Sequence, residues 1–402
     1  MGTNLFVIRY SEIATKGGNR NWFEDMLLRN IHQHLSRIGK HKITKVYGRI
    51  IIESSSDTES IKNTLLYIPG VANFSIAQAA DHTIEKISKK AAELMGSYLK
   101  NTLRNKFRFK VESQRSDKQF PMNSIEISRQ IGRDMLQLFS QLKVDLHTPQ
   151  IELGIEIWQK NRSIIYLEKI QGQGGLPTGT AGTAISFLSG GIDSPVSSWF
   201  MMKRGCKIVY LHFHSYPFTG EQSRQKVIDL VNHLSRFQAQ STLLIVPFTD
   251  VQKAIRENCK ESFRTILYRR FMYHVANAIR RKHKALAYVT GEALGQVASQ
   301  TMENIECTEN AATLPVLRPL IGMDKAEIVG WSKKIGTFPI SIRPFPDCCT
   351  VFQSKKPEIH GNVELIKEEE LKVNKGDLID SCVSNIEAVH FETQVQESFW
   401  EE

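Results

Sequence analysis

Six residues, Ser189-Gly190-Gly191-Ile192-Asp193-Ser194, have the types and spacing to hold a polyphosphate. An apolar run at 184–188 precedes them, and 194–204 reads as a helix stopped by Gly205. A strand, a tight glycine turn and a helix aim backbone N–H groups and a helix N-terminus at one anion. Adjacent glycines let the backbone approach phosphate oxygens closely. Ser189 and Ser194 can donate to phosphate, and Asp193 can hold a divalent cation that bridges it. No Gly-Lys-Ser/Thr follows, so this is not a Walker loop. An ordinary turn with capping serines is the bland alternative; the full pattern in strand–helix context favours a nucleotide loop.

Other residues could do chemistry with it. Cys348 and Cys349 are adjacent thiols, and a thiolate is the reactive form of either. The other cysteines, at 206, 259, 307 and 382, form no Cys-x-x-Cys pair, which argues against a structural zinc site. His212 and His214 share a strand face, but no third ligand is near, so a packing or backbone role is expected and no metal ligand is assigned. Arg269 or Arg270 could reach a phosphate from one helix. Lys325 follows Asp324, which suits an N-cap. Lys16 and Arg20 flank a glycine-containing loop before the first helix, and Arg104, Lys106, Arg108 and Lys110 cluster on a strand near 106–113. Three like charges on one strand face repel unless an anion lies over them; RNA contact and a solvated face both remain open.

The elements that must position these residues alternate along the chain. Residues 4–9 read as a strand and 19–38 as an amphipathic helix with Trp22, Met26, Leu27, Ile31 and Leu35 near one face. Strands near 43–53 and 72–77 with a helix at 58–67 complete a ferredoxin-like unit over 1–77. A second module, 78–168, reads as helix 83–100, strand 106–113, helix 123–142 and strands 149–158 and 163–169. Glycine-rich 169–182 reads as a linker. From 183 to 357 strands at 184–188, 207–213, 241–247 and 285–290 alternate with helices at 194–204, 221–237 and 251–282, the last interrupted, which predicts a parallel α/β sheet. Such a sheet binds ligands at the carboxyl ends of its strands, here Leu188-Ser189, His212-Phe213 and Thr290-Gly291-Glu292.

The chain has 402 residues, is 41% hydrophobic and carries a net charge of +10. Residues 1–360 hold 49 Lys+Arg against 31 Asp+Glu, while 361–402 hold 3 against 11. The basic body suits a polyanion; the acidic tail, 358–402, is expected as a flexible segment or a surface helix. No apolar run spans a membrane and no leader is read, so a cytoplasmic protein is expected.

Ser-Gly-Gly-x-Asp-Ser resembles the PP-loop of ATP pyrophosphatases. Further motifs narrow this: Glu-Ile-Ala-Thr-Lys-Gly-Gly-Asn-Arg near the start, Thr-Gly-Glu-Ala-Leu-Gly-Gln at 290–296, Pro-Val-Leu-Arg-Pro-Leu at 315–320, Met-Asp-Lys at 323–325 and Arg-Pro-Phe-Pro-Asp-Cys-Cys-Thr at 343–350. In this order they resemble the bacterial tRNA 4-thiouridine synthetase family, over about residues 4–357. The resemblance implies a ferredoxin-like domain and a THUMP domain that bind tRNA, followed by an ATP-binding PP-loop domain. It implies nucleotide contacts at Phe187, Leu188, Ser189, Gly190, Gly191, Asp193, Ser194, His212, Phe213, Arg269, Gly291 and Gln300, favouring Arg269 over Arg270. It implies adenylation of the uridine C4 oxygen at position eight, with Asp193 (through magnesium) and Lys325 neutralising phosphate charge, then sulfur delivery from a persulfide on Cys349 with Cys348 beside it. It further implies a thiamine role, a thiamine sulfur-carrier protein among the partners and a homodimer. Some members append a rhodanese domain; the 45 residues of the 358–402 tail are too few for one, so a cysteine desulfurase is the expected sulfur donor. The rivals are another PP-loop enzyme (2-thiolation or lysidine type) and an RNA-binding protein with a regulatory nucleotide domain.

Overall fold

Strand β1 (Asn4–Arg9) begins a sheet that runs through both modules expected before residue 168. The structure, a computed structural model, describes residues 4–46, 48–102, 106–158, 162–345, 348, 351–352 and 354–392. It divides into two units between Gly174 and Gly175.

In the first unit β1 is followed by α1 (Arg20–Leu35), β2 (His41–Val46), β3 (Arg49–Ser54), α2 (Thr58–Leu65) and β4 (Asn73–Ala80). Then come α3 (Ile84–Lys100), β5 (Phe107–Arg115), α4 (Ser124–Leu138), β6 (Leu142–Val144), β7 (Ile151–Trp158), β8 (Arg162–Tyr166) and β9 (Ile170–Gln171). The strand order is β2-β3-β1-β4-β8-β7-β5-β6, with β9 on β4. The single strand expected near 43–53 is a hairpin, β2 and β3. The boundary expected at 77 falls inside β4, which pairs with β1 through residues 73–77 and with β8 through 77–80. The two modules therefore share one sheet.

Helix α1 buries Leu27, Ile31 and Leu35 against Phe6, Ile8 and Ile50. Each such side chain contributes about 1.5–3 kcal/mol when removed from water. Trp22, expected on that face, is 45% exposed. Five residues before Leu27, it lies about 140° around the helix from the buried stripe. Across the sheet, Glu156 on β7 accepts from Arg9 of β1 at 2.6 Å and Arg49 of β3 at 3.1 Å, and Trp158 Nε1 donates to it at 3.1 Å. Burial pushes the Glu156 carboxyl up, but the two arginines outweigh it and hold it below the usual range.

Residues 169–182 are not a free linker. Gly172 N–H donates to Ala72 O and Gly174 N–H to Val71 O, within the first unit. Beyond the division Leu176 N–H donates to Lys203 O, and Gly179 and Ala181 N–H donate to Gly205 O. Gly175, at φ 71°, would place a Cβ 2.1 Å from Lys203 O, so only glycine passes there.

The second unit contains β10 (Thr183–Phe187), α5 (Asp193–Lys203), β11 (Lys207–His214), α6 (Glu221–Leu234), β12 (Gln240–Pro247), α7 (Thr249–Asn258), α8 (Arg264–Ile279) and β13 (Ala285–Val289). After these come α9 (Met302–Glu309), β14 (Val316–Leu317), α10 (Lys325–Lys334), α11 (Phe338–Ser341), α12 (Val363–Glu370), α13 (Lys375–Ser384) and β15 (Glu387–Glu392). The sheet order is β14-β13-β10-β11-β12-β15, parallel except for β15. Chain order reverses beside β10, which makes the carboxyl ends of β10 and β13 the switch point where such sheets take ligands. Among the described residues no helix is long and apolar enough to cross a membrane.

The acidic tail matches the surface helix of its two expectations. It packs α12 and α13 on α8 and adds β15 antiparallel to β12, register Ser241 to Phe391. Glu370, one of a run of three glutamates, is 4% exposed and pairs with Arg270 and His274 at 2.6 and 2.5 Å. A charged run looks solvated in sequence; here Glu368 is exposed while Glu370 is buried against the Arg270 guanidinium. Cys382 is buried in the same core.

Candidate functional site

The loop between β10 and α5 is held by its own serines. Ser189 N–H donates to Ser194 Oγ at 2.9 Å, Ser194 Oγ donates to Ser189 O at 3.2 Å, and Gly191 N–H donates to Ser189 Oγ at 3.2 Å. Helix α5 starts at Asp193, so its N-terminus and the loop amides lie together. Gly291, after β13, packs against this turn: a Cβ there would meet Ser194 N at 2.8 Å and Asp193 C at 2.9 Å. The turn and the fourth strand end are thus in backbone contact.

Asp193 is the centre of the polar arrangement. Its Oδ1 pairs with Lys325 Nζ at 2.6 Å, and its Oδ2 accepts from Gln296 Nε2 at 2.8 Å. Lys325 begins α10, whose Asp324 N-cap and Glu327 form a capping box. The lysine is thus both the helical cation expected from the cap and the partner of Asp193, across 132 residues of chain.

Asp193 and Gln296 line a cavity of about 340 Å³, with Phe187, Leu188, His212, Phe213, Arg269 and Gln300 also on its wall. His212 Nδ1 lies 2.9 Å from Leu188 O, which makes it the N–H donor and leaves Nε2 as an acceptor. Burial pushes the ring down to about 4, against the opposing carbonyl bond, so it is neutral at pH 7. His212 Nε2, Gln296 Oε1, Gln300 Oε1 and Tyr273 Oη are buried without a protein partner, and all four residues line the cavity. Such atoms are costly unless a ligand or water meets them.

Cys348 is 6% exposed and lines the same cavity. Gln252 Nε2 donates to its carbonyl at 2.9 Å. Cys349 lies outside the described residues. Cys206, Cys259, Cys307 and Cys382 are buried free thiols pushed up by burial.

Arg269 and Arg270 separate clearly. Arg269 reaches the cavity wall and pairs with Glu292 at 2.5 Å. Arg270 is buried on Glu370 and Cys307 O. Sequence reasoning missed what holds Arg269: Glu292 also takes Arg318 Nε at 2.7 Å and Thr290 Oγ1 at 2.9 Å. Burial raises the Glu292 carboxyl, but Arg269 and Arg318 outweigh it and the net shift is down. The signal was a glutamate at a strand end, where an ordinary core would place none.

In the first unit the expected cations are largely spoken for. Arg20 pairs with Glu24 at 2.8 Å and Lys16 lies over Phe23. Lys110 pairs with Glu152 at 2.9 Å and Arg108 with Asp145 at 3.4 Å. The protein itself supplies the counterions to that strand face, which removes the repulsion argument for an overlying anion. Lys106 is exposed and Arg104 lies outside the described residues. A hollow of about 480 Å³, which sequence reasoning did not find, is lined by Lys86, Lys89, Lys90 and Arg162 together with Glu53, Asp81 and Glu93.

Comparison with known proteins follows the same division. Residues 5–75 match the ThiI ferredoxin-like domain, 81–168 the THUMP domain and 179–375 the thiamine biosynthesis protein (ThiI) family. The chain is 43% identical over 378 residues to a "Probable tRNA sulfurtransferase" of Thermoanaerobacter sp. (strain X514), covering 94% of this chain and 97% of that one. It is 38% identical over 399 residues to the protein of the same name in Brevibacillus brevis (strain 47), covering 99% of each. The crystal structure of a 4-thiouridine synthetase–RNA complex with bound ATP superposes with a TM-score of 0.89 at 35% identity, covering 97% of this chain and 100% of that one. PH1313 from Pyrococcus horikoshii OT3 superposes with a TM-score of 0.66 at 28% identity, covering 83% and 99%.

Proposed function

The chain belongs to the thiamine biosynthesis (ThiI) family of tRNA sulfurtransferases, and from that premise we propose that it catalyses ATP-dependent sulfur transfer to tRNA, forming 4-thiouridine at position eight. One observation carries the reading: Ser189, Gly191, Asp193 and Ser194 of the loop line one cavity with Cys348 at the switch point of a parallel sheet, and Lys325 pairs with the Asp193 on its wall.

ATP is held by the loop amides and the α5 N-terminus at its phosphates, with the unpartnered atoms of His212 and Gln300 meeting its polar edges. A carbonyl oxygen is a poor leaving group. Bonding the uridine C4 oxygen to the α-phosphorus expels pyrophosphate and turns that oxygen into part of a good one. Lys325 stabilises the charge that grows on the phosphates. Asp193, a carboxylate on the cavity wall beside the loop amides, would hold a magnesium ion, which would supply further charge neutralisation. The terminal sulfur of a Cys349 persulfide then bonds to C4, the C4–O bond breaks and AMP leaves. A second thiol, Cys348 in this reading, cleaves the remaining S–S bond, and an external thiol reduces the disulfide left behind. The sulfur comes from a cysteine desulfurase. A sulfur-carrier protein of thiamine synthesis as a second acceptor, and a homodimer, belong to the same reading.

Lys86, Lys89 and Arg162, which line the hollow without a carboxylate partner among the described residues, are better candidates for RNA contact than Lys110, which is paired with Glu152. The test is incubation with tRNA, magnesium-ATP, cysteine, a cysteine desulfurase and a thiol reductant, followed by mass mapping of the nucleosides. A 16 Da gain at one uridine, dependent on ATP, is expected; no ATP-dependent gain overturns the reading.

A further inference from the structure

The turn after β11 displays two aromatic rings on a braced backbone. Tyr216 is 70% and Phe218 47% exposed. Thr219 N–H donates to Ser215 O at 2.9 Å, Ser215 N–H to Thr219 Oγ1 at 3.0 Å, and Thr249 Oγ1 to Tyr216 O at 2.7 Å. Ser215 Oγ donates to Gln252 at 2.5 Å, and Gln252 donates in turn to Cys348 O. The turn is therefore tied to the cysteine on the cavity wall. Phe352 packs edge-on against Phe218 with ring centres 4.8 Å apart, and the Arg256 guanidinium lies 4.6 Å over the Phe352 ring. No carboxylate pairs with Arg256 among the described residues.

Large rings left open beside a cation mark a surface that something covers. Phe213, on the cavity wall, is three residues before Tyr216, so their Cα atoms are at most about 11 Å apart. The proposed reaction, on which this inference rests, needs a uracil C4 edge that a folded RNA keeps inside its stack. An enzyme acting there must take the base out of the stack. An aromatic platform replaces the lost stacking whatever the base, and a neighbouring arginine meets the flanking phosphate. We propose that Tyr216 and Phe218 form the platform on which the extruded target base of the RNA stacks beside the nucleotide cavity, with Arg256 at its phosphate. A protein that donates sulfur is the competing occupant. Two rings with an unneutralised guanidinium, braced to the cysteine carbonyl, suit a base and its phosphate better than a broad apolar partner.

The test compares the wild type with a Tyr216→Leu/Phe218→Leu double variant, which keeps apolar bulk, and a Tyr216→Phe/Phe218→Tyr double variant, which keeps the rings. Inorganic sulfide attacks the adenylated C4 directly and displaces AMP, so neither a donor protein nor a persulfide is involved. The leucine variant is expected to lose about tenfold to a hundredfold in kcat/KM for tRNA. ATP affinity and Tm should stay as in the wild type, and the ring-swapped variant should keep most of the rate. In a second measurement, tRNA already carrying 4-thiouridine is irradiated in its long-wavelength band, and the coupled peptide is expected to span 215–219. An active wild type with an undiminished leucine variant overturns the platform alone, as does coupling only to a distant peptide. A loss seen only when a persulfide-carrying protein supplies the sulfur overturns it too and makes the patch a donor-docking face. A wild type that forms no 4-thiouridine overturns the proposed function, and the platform with it.

Discussion

Asp193 has two candidate jobs, and the structure shows the one it does without ligand. Its carboxylate is shared between Lys325 and Gln296. Asp193→Ala should remove ATP-dependent adenylation by a hundredfold or more, the usual order for a lost electrostatic stabiliser. Its affinity for tRNA should hold, measured by filter binding, if RNA contacts lie in the first unit. Loss of RNA affinity in that variant would count against this division. Cys349→Ser should stop thiolation while an adenylated tRNA still forms; full thiolation would take Cys349 out of the mechanism. At this scale much was legible. Ser189 to Ser194, Asp193 and Lys325 announce themselves because phosphate chemistry restricts residue type tightly. Glu292 and Gln296 stood in the 290–296 motif without an assigned role, because only the fold shows which arginine or aspartate each meets.

Elements depend on contacts that sequence periodicity does not encode. Strand β10 and helix α5 could be read directly, but that Gly291 must be a glycine follows only from its distance to the α5 backbone. Gly291→Ala should force the turn away, at about 1–3 kcal/mol of stability. A weaker ATP affinity by calorimetry should accompany the lower Tm; unchanged ATP affinity would show that the turn tolerates the shift. Of the two expectations for the C-terminal segment, the surface helix is the one that α12 and α13 match, and what charge alone hid is that Glu369 and Glu370 face inward. Glu370 sits between Arg270 and His274, and although burial raises its carboxyl, the hydrogen bond from His274 and the Arg270 guanidinium bring it down to about 2. A carboxyl lowered in the folded state stabilises fully above its unfolded value of about 4.5, and that stability drains as pH falls toward 2. Glu370→Ala should cost about 3–5 kcal/mol, because it strands Arg270 in the core. It should also flatten the acid limb of a Tm-against-pH profile; a steep limb retained in the variant would place that pH dependence elsewhere.

At the scale of the whole molecule, charge is the property that sequence reported most faithfully in amount and least in place. The excess of Lys+Arg over Asp+Glu through residue 360 suits a polyanion, but the strand chosen to meet it is already neutralised. Lys110 and Lys169 share Glu112 and Glu152, four charges that cancel on the protein's own surface. Paired cations release few counterions when RNA binds, whereas open ones release about one each. Lys86, Lys89 and Arg162 have no carboxylate partner among the described residues and line one hollow. Affinity for tRNA should therefore fall steeply with salt, with log K linear in log salt. Lys86→Ala and Lys89→Ala should each reduce that slope by nearly one, while Lys110→Ala should leave it almost unchanged. Fluorescence titrations of the wild type and the three variants between about 50 and 200 mM salt would read this directly. A slope lost with Lys110 and kept with Lys86 and Lys89 would return the RNA to the strand face and take it away from the hollow.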